Sequence, residues 1–270
     1  MSPEITLTAL LPPGAGLTPA EAMAGLGLKR EAPPDRAHVV LNMVATADGR
    51  AAIDGSTVGM GGAADRELFH ELRTQVDAVM VGARTAVVER YGTLVRGEAD
   101  RAKRRSEGLE PEPLACVVSG RLAIPADLPL LACAEARVVV ATAAPEGELA
   151  PVAAAVSYVR APVPAGRGVA LGALLERLRD DHGVRSVLCE GGPELNRALL
   201  EADLVDELFL SLVPTITAAD DAPPIVTGPR LPVPVGMSLT RVLEHEGHLF
   251  LRYRLRRSGG VPASLRLRLP

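Results

Sequence analysis

The stretch richest in chemistry is Ser186-Val-Leu-Cys-Glu-Gly-Gly-Pro-Glu-Leu-Asn196. An apolar strand runs into Gly191-Gly192-Pro193 and then into a helical pattern. Glycines let a backbone approach a ligand closely, and free N–H groups at a helix start attract phosphate. The turn alone suits plain geometry as well as binding. Glu190, at the carboxyl end of the strand, tips it toward binding, because ligands of open α/β sheets sit at that end. The same logic picks out Ser119-Gly120-Arg121 behind the run Leu114–Val118, where an arginine meets a phosphate or stays in a solvated turn. Asn42, Thr46 and Asp48 lie on the first core strand and its exit. An amide inside an apolar strand needs partners, and Asp48-Gly49 by itself reads as a turn. Gly59-x-Gly61-x-x-Ala64 fits a loose dinucleotide fingerprint. The residues before it form no clean strand, and Asp77 opens the next strand instead of closing it, so that reading is rejected. It is read as a Gly-rich loop able to cover a ligand, with Ser56 and Thr57 as hydroxyl donors.

Other chemistries have nothing to stand on. Cys116, Cys133 and Cys189 form no CxxC pair and sit in or beside apolar runs, so all three are expected to be buried and inert. His245 and His248 have the wrong spacing for two metal ligands on one helix face, and the motifs of serine hydrolases and P-loop NTPases are absent. Asp180-Asp181 and Asp220-Asp221 read as solvated charge, and no metal is expected.

The elements that position these residues follow from periodicity. Strands are predicted from His38, over Ala78–Gly82, Leu114–Val118 and 137–141, from Ser186 and from Asp206. Between them Leu68, Phe69, Leu72 and Val76 mark one helix, Leu171, Leu174, Leu175 and Leu178 a second, and Leu195, Ala198, Leu199 and Ala202 a third. Residues 237–243 and 248–256 alternate around Glu244-His-Glu-Gly247, which predicts an antiparallel hairpin. The result is an α/β fold on a mixed sheet. Residues 1–35 read as an N-terminal extension with a short helix capped by Thr18, residues 36–257 as the main domain, and 258–270 as a tail. Residues 97–113 read as a charged surface excursion.

Composition bounds the rest. The 270 residues are 47% hydrophobic and carry a net charge of −4, which argues against a general nucleic-acid binder. No apolar stretch approaches the roughly 18–20 residues of a membrane span. The first residues do not read as a signal peptide, so a cytoplasmic protein is expected.

Taken in order, NMVATADGR, the Gly/Ser loop, a helix ending in Leu72-Arg73, DAVMVGARTAVVERYGTL, LACVVSGR and SVLCEGGPELNRALLEADLVDELFLSLVP form a specific series. It resembles the reductase domain of bacterial riboflavin-biosynthesis deaminase–reductases over residues 38–255. The resemblance implies a three-layer dihydrofolate-reductase-like fold, with a mostly parallel mixed sheet and a C-terminal antiparallel hairpin. It implies NADPH-dependent reduction of 5-amino-6-(5-phosphoribosylamino)uracil to its ribitylamino product by hydride transfer to the sugar C1′, in a homodimer. Ala45, Gly59, Thr85, Glu89 and Ser119 fall at cofactor-contacting positions, as does Gly192-Pro193-Glu194-Leu195-Asn196-Arg197-Ala198. Arg121 joins them as a candidate for the 2′-phosphate, and Gly191 with Gly192 for the pyrophosphate. Thr57 or Ser56, Arg73, Arg96 and Glu190 fall at substrate-contacting positions, the arginines suiting a phosphate.

Asn42 and Asp48 are cast near the reacting end, with Glu190 orienting hydroxyls. The chain departs from the family at three places. No deaminase zinc signature is present, so a separate protein is expected to deaminate. Asn42 stands where the family carries a lysine. Gly59 replaces an aromatic residue, and Glu89-Arg90-Tyr91 a more acidic run. Two other readings stay open: a dihydrofolate or pterin reductase on the same scaffold, and a catalytically silent NADPH-binding protein.

Overall fold

Apolar strands and amphipathic helices assemble into three layers in a computed structural model of the chain, which describes residues 5–57, 59–163 and 168–256. In chain order the elements are β1 (Thr8–Leu11), α1 (Pro19–Met23), β2 (His38–Thr46), α2 (Gly62–Arg73), β3 (Ala78–Gly82), α3 (Ala83–Val88), α4 (Glu98–Ser106), β4 (Leu114–Val118), β5 (Arg137–Thr142), β6 (Ala155–Arg160), α5 (Leu171–His182), β7 (Ser186–Cys189), α6 (Pro193–Glu201), β8 (Glu207–Val213), β9 (Met237–His245) and β10 (His248–Leu255). One ten-stranded sheet has the order β1-β9-β10-β8-β2-β7-β3-β4-β5-β6. From β8 to β6 all neighbours are parallel, and β10, β9 and β1 are added antiparallel.

The central strands are buried on both faces, which is why they read as continuous apolar runs. Leu68 and Leu72 of α2 pack on one face with Met23 and Leu28; Leu174, Leu175, Leu178 and Leu199 pack on the other. The chain moves outward from β3 to β6, then returns to insert β7 between β2 and β3 and to lay β8 beyond β2. That reversal opens a crevice at the carboxyl ends of β2, β7 and β3.

Three local findings differ from the sequence reading. The N-terminal segment is part of the main sheet and core: β1 pairs with β9, and Leu7 is fully buried. Thr18 caps α1 as expected, in a reciprocal box with Glu21. Strand β6 was missed because only Val159 is buried along it. The charged stretch after Gly97 is largely the helix α4, and one of its arginines points inward. Arg104 is fully buried and donates to the carbonyls of Arg73, Val76 and Glu110. It satisfies carbonyls at the end of α2 that no helical N–H reaches. Burial lowers its pKa to about 10. The proposed tail, 258–270, lies outside the described residues. Among the described residues no helix is long and apolar enough to cross a membrane.

Candidate active site

Leu41, Cys189 and Met80 stand side by side across β2, β7 and β3. The next residues therefore meet at the crevice: Asn42, Glu190 and the end of β3. The Glu190 N–H donates to the carbonyl of Met80 at 2.9 Å, and the Gly82 N–H to that of Gly191 at 2.9 Å. Gly191 has φ +97°, a left-handed backbone that side chains disfavour. Gly192 precedes α6, and no side chain caps that helix start. A Cβ on Gly192 would lie 2.6 Å from Thr85 Oγ1. The turn thus places Thr85, from α3, against the helix start.

Glu190 is only 9% exposed, and Arg73 grips it with both sides of its fork. Arg73 Nε and Nη2 each lie 2.7 Å from a Glu190 oxygen, and Tyr91 Oη donates to Oε2 at 2.7 Å. Arg73 Nη1 donates to the carbonyl of Leu94, and Phe69 lies against the guanidinium face, 4.2 Å from ring centre to Cζ. Burial works against the Arg73 charge, but Glu190 outweighs it and raises the pKa. Burial, reinforced by Glu190, pushes the Tyr91 phenol well up, so it remains a donor. The Arg73 donors reach Glu190 and the carbonyl of Leu94. Arg96 is exposed and paired with Glu67 and Asp100.

The Gly-rich loop is tied to α3. Glu89 accepts from Ser56 Oγ at 3.3 Å and from the Thr57 N–H at 3.0 Å. Gly59 has φ +84° and open space where a Cβ would stand. Ala45 is buried, 4% exposed, in the strand. Asp48 accepts from Thr46 Oγ1 at 2.5 Å and from the Ala218 N–H at 2.8 Å. The Thr46 hydroxyl first, and the Ala218 N–H second, lower its pKa to about 2. Asp48 therefore ties Thr46 to the loop at Ala218 and is ionised at neutral pH.

Toward the far side of the crevice, Ser119 is buried at the end of β4, and its N–H donates to Ala141. Arg121 is exposed and makes no polar contact among the described residues. On α6, Pro193 and Glu194 open the first turn, and Leu195 is buried in the core. Asn196 is fully buried, its Nδ2 donating to the Ile225 carbonyl at 2.8 Å. Its side chain is an amide held in the core. Cys116 and Cys189 are buried, with the Cys189 thiol pushed up to about 12 by burial, whereas Cys133 is only half-buried.

One residue was not singled out from sequence. Asp65, in the first turn of α2, accepts from Ser211 Oγ and lines a cavity with Asn42. Its signal was present: it precedes Leu68 and Phe69 by three and four residues, so an acid shares the apolar face of the helix.

The model of the RibD C-terminal domain family matches residues 37–248. A 2,5-diamino-6-ribosylamino-4(3H)-pyrimidinone 5′-phosphate reductase of Archaeoglobus fulgidus is 32% identical over 196 residues, 72% of this chain and 87% of that protein. The reductase of the same name from Methanothermobacter thermautotrophicus is 30% identical, over 72% of this chain and 85% of its own. Among solved structures, a pyrimidine reductase-like protein of Corynebacterium diphtheriae superposes with a TM-score of 0.75 at 21% identity, covering 90% of this chain and all of that one.

Proposed function

This chain belongs to the RibD C-terminal domain family, and on that premise we propose that it is an NADPH-dependent reductase of a phosphorylated ribosylaminopyrimidine. The observation that carries the reading is the pairing of the Gly191-Gly192-Pro193 turn with Glu190, side by side at the crevice where the strand order reverses. The relatives' names give the substrate as a diaminopyrimidinone ribosylamino phosphate. The family resemblance points to the corresponding uracil. The two bases differ at C2, which carries an amino group in the first and an oxo group in the second.

The residues fit a dinucleotide. The start of α6 presents first-turn N–H groups that no side chain caps, suited to a pyrophosphate. Arg121, beside Ser119, is a cation available to a 2′-phosphate, the group that distinguishes NADPH from NADH. When bound, the cofactor supplies the hydride, and the protein contributes binding and orientation. Glu190, held immobile by Arg73 and Tyr91, accepts hydrogen bonds from sugar hydroxyls. Thr57, tethered through its N–H to Glu89, offers its hydroxyl from the loop, with Ser56 holding the loop to the same carboxylate. With Arg73 committed to Glu190, Arg96 is the arginine we assign to the substrate phosphate, exchanging Glu67 for it. Asn42 orients through neutral hydrogen bonds, since asparagine does not titrate.

We also propose a cytoplasmic homodimer, supported by the exposed Leu10, Leu11, Met237 and Leu239 at the β1–β9 edge. The functional test is NADPH oxidation with the diaminopyrimidinone phosphate, the uracil phosphate and dihydrofolate side by side. Turnover of either ribosylamino phosphate, with none of dihydrofolate, is expected. Brisk turnover of dihydrofolate alone overturns the reading, and tight NADPH binding without any turnover makes the chain a silent binder.

A further inference from the structure

A second cavity lies at the opposite end of the sheet from the crevice. Its wall is built on the amino ends of β3, β4 and β5, where Asp77 precedes β3, and Leu114 and Arg137 open the other two strands. The Leu114 N–H donates to the Asp77 carbonyl at 2.9 Å, which holds two of these strand starts side by side. The length of a strand, about 15 Å, separates this end from the crevice. The cavity measures about 690 Å³ with its open mouth included, and about 280 Å³ of that seats water-sized groups. Sites for small ligands span about 300–1,000 Å³. Nothing in the reductase reading uses this space.

Two unlike charges line it without meeting. Glu110 and Arg137 are both exposed, and neither side chain makes a polar contact among the described residues. Glu110 is held through its backbone, since the buried Arg104 donates to its carbonyl at 2.8 Å. Arg137 is held by the pairing of β5 with β6. Asp77 also lines the cavity, but its Oδ2 already accepts from the Arg185 N–H, the Ser186 N–H and Ser186 Oγ at 2.8–3.0 Å. Asp77 is also the foremost of the charges that sustain the buried Arg104 cation. Glu110 thus carries the free negative charge and Arg137 the free positive one. Two helices end here as well, α4 just before Gly108 and α5 at His182, capped by the left-handed Gly183. The carboxyl end of a helix carries partial negative charge, which favours a cation beside it.

A space between an unpaired carboxylate and an unpaired guanidinium is matched by a molecule that carries both charges itself. A simple anion would satisfy Arg137 and be repelled by Glu110, and a simple amine would do the reverse. A guanidinium takes a carboxylate bidentately, and the three donors of an ammonium suit Glu110 together with helix-end carbonyls. Leu109, Leu114 and Val184 supply buried apolar surface for a carbon skeleton. We propose that this cavity is a binding site for a free α-amino acid, with its carboxylate on Arg137 and its ammonium on Glu110. The site is separate from the crevice and does not depend on the reductase reading.

The test is calorimetric titration of the full chain with the common L-amino acids, then with the N-acetyl and amide forms of whichever binds. At least one amino acid is expected to bind, and capping either its ammonium or its carboxylate is expected to abolish binding. Glu110→Gln and Arg137→Gln are each expected to weaken it about tenfold to a hundredfold, the scale of one charge-assisted contact, with NADPH affinity and Tm unchanged. Arg96→Ala, at the crevice, is expected to leave amino-acid binding unaltered. Failure of every amino acid to bind overturns the inference. So does a binder that tolerates both Glu110→Gln and Arg137→Gln, keeps its affinity when capped, or is lost with Arg96→Ala. Inorganic phosphate that binds as tightly as any amino acid also overturns it, and makes the cavity a plain anion site.

Discussion

Arg73 and Glu190 meet as a fork on a fork, two contacts of 2.7 Å between side chains that are 8% and 2% exposed. They lie 117 residues apart in the chain, one ending α2 and the other following β7. The pair joins the helix layer to the sheet at the crevice, and Tyr91 closes it from a third element. A carboxylate so held cannot swing, which suits a group that must present oxygens to a bound sugar.

Removing one partner leaves a buried charge without compensation, which costs about 3–5 kcal/mol. Arg73→Ala is therefore expected to destabilise by that order in urea unfolding, and Arg73→Lys to recover only part of it, because lysine cannot reproduce the bidentate contact. Glu190→Gln, nearly isosteric, is expected to keep a folded protein while lowering kcat/KM. A full-rate Glu190→Gln enzyme would return this pair to a purely structural role.

The Gly192 turn yields a paired prediction. A methyl group there would sit 2.6 Å from Thr85 Oγ1. Gly192→Ala is expected to weaken NADPH, followed by nicotinamide fluorescence, and to lower Tm. Adding Thr85→Ala is expected to restore Tm by making room, without restoring affinity. Gly192→Val is expected to abolish cofactor binding. Retained NADPH affinity in a soluble Gly192→Val protein would mean that the glycine only shapes the turn.

Arg121→Ala is expected to weaken NADPH about tenfold to a hundredfold, the scale of one charge-assisted phosphate contact, and to leave NADH nearly unchanged. Equal losses for both cofactors would sink the assignment of Arg121 to the 2′-phosphate.

Asp48 makes a prediction about acid. Its pKa is lowered from 3.8 to about 2, chiefly by the Thr46 hydroxyl. A carboxyl depressed in the folded state stabilises the protein above its unfolded pKa, and that contribution fades as pH falls through the folded value. The contribution is complete at neutral pH and is lost between about pH 4 and about pH 2. Thermal melts across that range are expected to be flatter for Asp48→Asn than for the parent. Between about pH 5 and about pH 8 the kcat/KM profile of Asp48→Asn should keep the limbs of the parent. Disappearance of a limb would make Asp48 a proton donor in the reaction.

Much of the architecture was legible because it is written in local periodicity. Buried parallel strands are apolar on both faces, so the runs from His38, Ala78, Leu114 and Ser186 stand out, and the heptad-like leucines of α5 show the face that packs. The hairpin of β9 and β10 declares itself by alternation. Strand β6 and the strand β1 did not, because an edge strand needs few apolar side chains. Arg104 was invisible for another reason: a buried arginine within a charged helix looks like its solvated neighbours until the carbonyls it satisfies are in place.

For the site, the sequence by itself determined that Asn42 stands within an apolar strand and that Glu190, the Gly-Gly-Pro turn and Ser119 stand at strand ends. Strand ends and helix starts follow from composition along the chain, and chemistry there follows from residue type. Only the tertiary structure decided how those groups are shared out. It brought Arg73 onto Glu190, tied Asp48 to the loop at Ala218, and set Asp65 against Ser211. A side chain's role depends on which partner reaches it first. Partners separated by more than a hundred residues, as Arg73 and Glu190 are, are chosen by the crossovers of the sheet rather than by anything their neighbours in the chain reveal.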